Sequence, residues 1–148
     1  MSDDASGVVV RAFRDADEPA VTELWRRAFG VPAARNAAGR VIAQKRKVQP
    51  ELFLVAELAG DVVGTTIAGD DGHRGWIHLV AVSPDHRKAG IGATLVREAA
   101  RRLRERGVPK LNLQIRGDNG GVVAFYESLG FAVEERISMG LLLSDDAS

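Results

Sequence analysis

The spacing of apolar residues changes several times along the chain, and each change predicts a new structural element. Short runs that are rich in β-branched residues, or that alternate apolar with polar residues, are typical of strands. The segment Ala59-Gly60-Asp61 between two such runs is typical of a tight hairpin turn. The pattern predicts seven strands, at residues 8–13, 52–56, 62–67, 76–82, 111–115, 131–133 and 139–143.

Apolar residues three or four positions apart predict four helices between these strands. The most regular stripe consists of Ile91, Leu95, Ala99 and Leu103. The element order is strand, two helices, three strands, helix, strand, helix and two strands. This order predicts an α/β (α+β) fold with a mixed, mainly antiparallel sheet flanked by helices. The predicted helices cover residues 15–29, 34–48, 90–106 and 122–129.

The composition is that of an ordinary globular domain. The chain has 148 residues, 45% apolar and 27% charged, which is enough to build one hydrophobic core. We expect a single domain over 1–148 with flexible tails at 1–7 and 144–148. The absence of cysteine excludes disulfides, cysteine-ligated zinc and a cysteinyl intermediate. Because no apolar run approaches the roughly 18 residues of a membrane span, and the N-terminus is acidic, we expect a cytoplasmic protein without a membrane partner.

Positive charge is concentrated in two segments, although the net charge is zero. Residues 31–47 contain five basic residues and no acid, and residues 86–117 contain nine basic residues and two acids. A protein that coats nucleic acid is normally basic overall, so we expect a local positive surface and no nucleic-acid partner. For residues 31–47, a solvated helix face explains the charge equally well.

The segment with the clearest chemistry links the strand at 76–82 to the longest helix. The free N–H groups at a helix start attract anions, and two glycines with two basic residues would let a phosphate approach the main chain. A tight entry turn is the competing explanation. Leu95 stands where a dinucleotide fingerprint needs a small residue, and the P-loop ending is also missing.

Two motifs in this order resemble those of the GNAT N-acetyltransferase superfamily. The first is Arg87-x-x-Gly90-x-Gly92, after a strand that ends in Val80-Ala81-Val82. The second is Asn119 followed seven residues later by Tyr126. The order of elements from about residue 8 to 143 is similar to the GNAT fold, and in particular to small bacterial members such as the ribosomal-protein alanine acetyltransferases.

The resemblance implies acetyl-CoA as the acetyl donor and assigns residues to it. The main chain of Val80, Ala81 and Val82 would pair with the pantetheine arm. Asn119 would contact the cofactor arm, and Tyr126 would protonate the departing sulfur. The implied pyrophosphate-binding loop consists of Arg87, Lys88, Ala89, Gly90, Ile91, Gly92 and Ala93.

The general base departs from the family pattern. Gln114 occupies the position where the ribosomal alanine acetyltransferases have a glutamate, and an amide cannot accept a proton at neutral pH. His78 is the candidate substitute, two residues before Val80 and on the same face of a regular strand; a packed or solvent-facing histidine is the alternative. Asp70, Asp71 and His73 could bind a cationic substrate or form an ordinary polar turn, and a base acting through ordered water also remains open.

We therefore expect direct transfer of the acetyl group to a primary amine, on a small molecule, a peptide N-terminus or a lysine. The alternative is a CoA-binding regulatory or interaction module that kept the fold but lost catalysis. The spacing of the three histidines predicts no metal site. The acceptor and the oligomeric state, a homodimer included, stay open.

Overall fold

The computed structural model describes residues 7–117 and 120–144, and these contain five strands in one sheet. The strands are joined in chain order: β1 to β4 pair as antiparallel neighbours, while β4 and β5 are parallel. The predicted mixed, mainly antiparallel sheet is confirmed. The bounds are Val8–Ala12 for β1, Phe53–Leu58 for β2, Asp61–Asp70 for β3, Gly75–Val82 for β4 and Leu111–Asn112 for β5.

Four α-helices in the described ranges flank the sheet, as predicted. The basic segment at 34–48 forms a short 3-10 turn followed by a shorter helix than expected. The third helix begins after Gly90, whose left-handed backbone ends the preceding loop. The bounds are Glu18–Phe29 for α1, Ala38–Lys45 for α2, Ile91–Glu105 for α3 and Gly120–Ser128 for α4.

The sheet separates two apolar clusters, because neighbouring residues of a strand point to opposite faces. Leu54 and Ala56 of β2 pack with α3 and with Tyr126 of α4. Phe53 and Val55 of the same strand pack with α1 and α2 on the other face. We call these the α3–α4 face and the α1–α2 face.

The C-terminal part of the sheet is smaller than predicted. β5 has two residues rather than five, and residues 131–144 contain no regular secondary structure. The apolar runs there are typical of strands, but Ile137, Met139 and Leu141 are exposed. Side-chain hydrogen bonds join this segment to β5 and to the residues beside it, including Asn112 Nδ2 to Glu134 Oε1 at 3.0 Å and Gln114 Nε2 to Ser138 Oγ at 2.7 Å. The prediction of strands at 131–133 and 139–143 is therefore wrong for this structure.

Candidate functional site

The sheet opens between its two parallel strands. β5 pairs with β4 only at Gly75 and Trp76. Beyond these residues the strands separate, and a cavity of about 1870 Å³ lies between them. The cavity is lined by residues 76–79 of β4, residues 111–117, parts of α4, and the α1–α2 connection.

A β-bulge lies in β4 beside this opening. Thr65 pairs with Ala81 and Ile67 pairs with His78, so one residue of β3 opposes two of β4. The bulge includes Leu79, whose φ of 53° is in the left-handed region and rare for a branched side chain. The extra residue turns the carbonyl groups of β4 out of the regular ladder.

Two threonines of β3 hold the bulge, and nothing in the motifs pointed to them. Both are fully buried. Thr66 donates its hydroxyl proton to the carbonyl of His78 at 3.2 Å, and Thr65 reaches the carbonyl of Leu79 at 3.4 Å. The indole of Trp25, which lines the cavity, donates to Thr65 Oγ1 at 2.8 Å. The sequence signal for this role was the presence of Thr65 and Thr66 in an otherwise apolar strand, because buried hydroxyl groups need hydrogen-bond partners.

The bulge corrects the predicted direction of His78. Ile77 and Val80 both pack on the α3–α4 face, and Leu79 packs on the α1–α2 face. In a regular strand one residue lies between two neighbours on the same face, but here both His78 and Leu79 lie between Ile77 and Val80. His78 is therefore on the face opposite Val80. His78 lines the cavity from the α1–α2 side.

The environment of His78 favours its neutral form. The imidazole is exposed at the cavity surface, and its partial desolvation, helped by the charge of Lys45 on α2, lowers the pKa of His78 below its usual value of 6.5. A neutral imidazole at physiological pH can accept a proton. The arrangement is chemically suited to a general base.

Tyr126 lines the same cavity from the α3–α4 side. It is 9% exposed, and its ring makes edge contacts with Phe125 and Phe131 at centroid distances of 4.9 and 5.6 Å. Burial raises the pKa of Tyr126 above 10, so the phenol carries its proton at neutral pH. A fixed phenol that opens to a cavity can act as a proton donor.

The predicted pyrophosphate-binding loop lies at the start of α3, outside the cavity lining. No side chain of the described residues caps the helix, and both Lys88 and Gly90 have left-handed backbones. Arg87 and Lys88 are exposed. In the turn before them, Nδ1 of His86 is buried without a hydrogen-bond partner, the one such side-chain atom in the part of the chain that the structure describes. An unpaired polar atom next to an uncapped helix start is compatible with an anionic ligand.

Gly92 has a structural reason to be small. A Cβ atom there would lie 3.3 Å from Cζ of Phe125 and 3.6 Å from Cγ2 of Val82. A larger side chain would displace Phe125 of α4, so a Gly92 variant would not isolate an effect on a ligand.

The other predicted donor-binding residues lie along the free side of β4. Val80 and Val82 pack toward the α3–α4 face, and Ala81 is buried on the opposite face. The main chain of Ala81 and Val82 pairs with β3 on one side, Val80 lies in the bulge, and beyond Trp76 no described strand pairs with the other side of β4. Asn119 lies outside the described residues.

Gln114 and the acidic turn at residues 70–73 lie in different places relative to the cavity. Gln114 lines the cavity and donates from Nε2 to Ser138 Oγ at 2.7 Å. Asp71 accepts hydrogen bonds from the main-chain N–H groups of His73 and Arg74, which lower the pKa of its carboxyl group. The turn that contains Asp70, Asp71 and His73 is therefore an ordinary polar hairpin turn, and it lies outside the cavity lining.

The basic segment at 31–47 does not form one positive surface. Arg46 pairs with Asp15 and Glu18 at 3.1 and 3.0 Å. Lys45 is buried and donates from Nζ to the carbonyl of Ala68 at 2.6 Å, and desolvation lowers the pKa of its ammonium group. One of the five charges is thus buried in the fold, and a second is paired with acids at the surface.

The sequence profile of the Acetyltransferase (GNAT) family matches residues 18–131, which is most of the chain. The chain belongs to the GNAT acetyltransferase family. The resemblance inferred from the two motifs is confirmed. An acetyltransferase of Sodalis glossinidius is 40% identical over 128 residues, covering 86% of this chain and 89% of the relative.

Solved GNAT structures share the fold. Ard1 from Thermoplasma volcanium has a TM-score of 0.77 at 25% identity, covering 86% of this chain and 84% of that one. The ribosomal-protein-S18-alanine N-acetyltransferase from Escherichia coli has a TM-score of 0.70 at 26% identity, covering 83% and 76%. In the described part of the GNAT chain, no helix has the length and apolarity for a membrane span, and no three His, Asp or Glu side chains group as metal ligands.

Proposed function

We propose that this GNAT protein transfers the acetyl group of acetyl-CoA directly to a primary amine within a ternary complex. The observation that carries the proposal is the opening between β4 and β5, where Tyr126 and His78 line one cavity from opposite faces of the sheet. A proton donor and a proton acceptor on either side of the opening are the two groups that thioester aminolysis needs.

The residues beside the opening suit the acetyl donor. The free side of β4 at residues 80–82 offers main-chain groups to an extended pantetheine arm, as an added strand would. The uncapped start of α3, with exposed Arg87 and Lys88, offers N–H groups and positive charge to the diphosphate. Residues 87–93 would hold this end of acetyl-CoA, and Asn119 would contact its arm.

The chain's own residues then handle the proton transfers. His78 accepts a proton from the ammonium group of the acceptor, which frees the nitrogen lone pair to attack the thioester carbon. The new C–N bond forms as the C–S bond breaks, and Tyr126 donates its proton to the departing sulfur. The acylated nitrogen then gives up its second proton to the Tyr126 oxygen, which restores the phenol and leaves a neutral amide and free CoA thiol. Direct attack is favoured because the sequence offers no cysteine to hold an acyl group.

A charge reversal tests where the donor binds. We expect Arg87→Glu to weaken acetyl-CoA binding about tenfold in calorimetry, because it replaces an attractive charge near the diphosphate by a repulsive one. Arg104→Glu, an exposed reversal at the other end of α3, is the matched control and should keep the wild-type affinity. Equal affinity of both variants would contradict the assignment of residues 87–93.

Turnover separates the proposal from its rivals. We expect release of free CoA and an acetylated product when acetyl-CoA is mixed with a broad panel of primary amines. Tight acetyl-CoA binding without turnover would favour a CoA-binding regulatory or interaction module. Stronger thermal stabilisation by ATP or NAD than by acetyl-CoA would favour a nucleotide-binding domain of other chemistry.

A further inference from the structure

The cavity wall formed by α1, the α1–α2 connection and the start of α2 is mostly apolar. Its apolar side chains include those of Trp25, Phe29, Val31, Pro32, Ala37 and Val41, and its polar side chains are those of Thr22, Arg26 and Asn36. Phe29 and Val31 are 50% and 93% exposed, so the wall presents large apolar groups to whatever enters the cavity. The wall lies on the same side of the sheet as His78, the side on which the proposed base would receive the acceptor amine.

The charged residues around the cavity do not favour a polycation. Its lining includes four positively charged residues and two carboxylates. Glu134, one of the carboxylates, is already bound by Lys110 and by Asn112. Among the described residues of the α1–α2 wall, the one charged group is that of Arg26, which is bound to Glu23 at 2.6 Å.

Within the described ranges, the α1–α2 wall carries no acidic side chain that could recognise a second ammonium group: the two carboxylates of the lining are Glu127 on α4 and Glu134 in the segment after it. Asp70 and Asp71 are outside the cavity lining, and both accept hydrogen bonds from main-chain N–H groups of their own turn. A second positive charge in the acceptor would therefore face apolar side chains and excess positive charge, which penalises its desolvation.

We infer that the acceptor is an amine on an apolar carbon skeleton that carries no second positive charge. This inference rests on the proposed function and narrows its acceptor. The ammonium group that reacts meets His78, while the rest of the molecule lies on the wall of Phe29, Val31 and Ala37. Polyamines and aminoglycosides, which carry several ammonium groups, are disfavoured as acceptors.

Two amines of equal size test this inference. Hexylamine and 1,5-diaminopentane have the same number of heavy atoms and differ in a terminal methyl group against a terminal ammonium. We expect kcat/KM for hexylamine to exceed that for the diamine by about tenfold or more, because an apolar wall gains from the methyl and penalises the charge. Mass spectrometry of the acetylated amines gives the ratio of the two kcat/KM values in one competition.

A pair of Ala37 variants tests whether this wall sets the preference. Ala37 is the N-cap residue of α2, where both Asp and Asn favour helix formation, so both variants should fold. We expect Ala37→Asp to reduce the hexylamine preference about fivefold at low salt, the size of a partly exposed ion pair, and less at high salt. Ala37→Asn, which adds polarity without charge, should change the ratio less, and its effect should not depend on salt.

The outcomes separate this inference from the proposed function. Acetylation of the diamine as fast as hexylamine, or faster, overturns the apolar acceptor while leaving acetyl transfer to amines intact. An equal change of ratio in both Ala37 variants overturns the role of this wall. Absence of transfer to any amine by protein with bound acetyl-CoA overturns both proposals.

Discussion

The two ends of β4 differ in the hydrogen-bond partners of their main-chain groups. At Gly75 and Trp76 the strand pairs with β3 on one side and β5 on the other. From Ile77 onward β4 no longer pairs with β5, and its hydrogen-bond ladder to β3 is interrupted by the bulge at Leu79. The paired end is closed by ordinary sheet hydrogen bonds, whereas the open end leaves main-chain groups free for a ligand.

The candidate site lies where regular pairing stops. His78 adjoins the bulge and Tyr126 faces the opening, while Gly75 at the paired end packs closely against Leu103 of the core. If this contrast is right, changes at the open end should affect catalysis with little loss of stability, and changes at the paired end should do the reverse.

The largest expected effect is at Tyr126. We expect Tyr126→Phe to lower kcat about 100-fold or more, because the departing sulfur loses its proton donor. The ring and its contacts with Phe125 and Phe131 remain, so the affinity for acetyl-CoA and the melting temperature should stay close to wild type. Steady-state kinetics and calorimetry give these values. A kcat within twofold of wild type would exclude Tyr126 as the acid.

The next effect is at His78. We expect His78→Gln to lower kcat/KM about 10–100-fold, since ordered water is a poorer base. In the wild type, the lowered pKa of His78 places the acidic limb of the pH–rate profile below pH 6.5, because the neutral form persists to lower pH. The limb should be absent in the variant. An unchanged limb would show that another group is the base.

At the paired end, a glycine substitution should lower stability, and a glycine on α2 gives the matched comparison. A Cβ atom on Gly75 would lie 2.9 Å from Cδ1 of Leu103, so Gly75→Ala should destabilise the protein by about 1–3 kcal/mol. A Cβ atom on Gly39 of α2 would have no neighbour within 4 Å, and Gly39→Ala should stabilise by about 0.5–1 kcal/mol. Urea denaturation measures both. Equal effects would contradict the close packing at Gly75.

The smallest expected effect is electrostatic. Lys45→Met removes a positive charge near His78, so the pKa of His78 should rise toward 6.5 and the acidic limb should move to higher pH by a few tenths of a unit. Arg106 and Glu51 also act on Lys45 and remain in place. A histidine NMR titration measures the shift. Movement to lower pH would contradict the stated influence of Lys45.

Most of the fold was predictable because it depends on local spacing. The stripe of Ile91, Leu95, Ala99 and Leu103 marks α3, and the turn at Ala59-Gly60 marks the hairpin of β2 and β3. These signals need only the periodicity of neighbouring residues. Tyr126 and the loop at 87–93 were found through family motifs, and their roles remain predictions.

The features that escaped the sequence depend on contacts between distant residues. Leu79 has no local signal for a left-handed backbone; it is held there by pairing and by Thr65 and Thr66 across the sheet. Lys45 is buried because the carbonyl of Ala68 lies within reach of its ammonium group. The apolar run at 139–143 predicted a strand, but pairing depends on a partner that a run of residues does not reveal.

A crystal structure of the protein with CoA tests the central claim most directly. We expect the diphosphate at residues 87–93, the pantetheine arm along the free side of β4, and the sulfur within about 3.2 Å of the Tyr126 hydroxyl or one water molecule away. CoA bound with its sulfur outside the opening between β4 and β5, out of reach of Tyr126, would contradict the account.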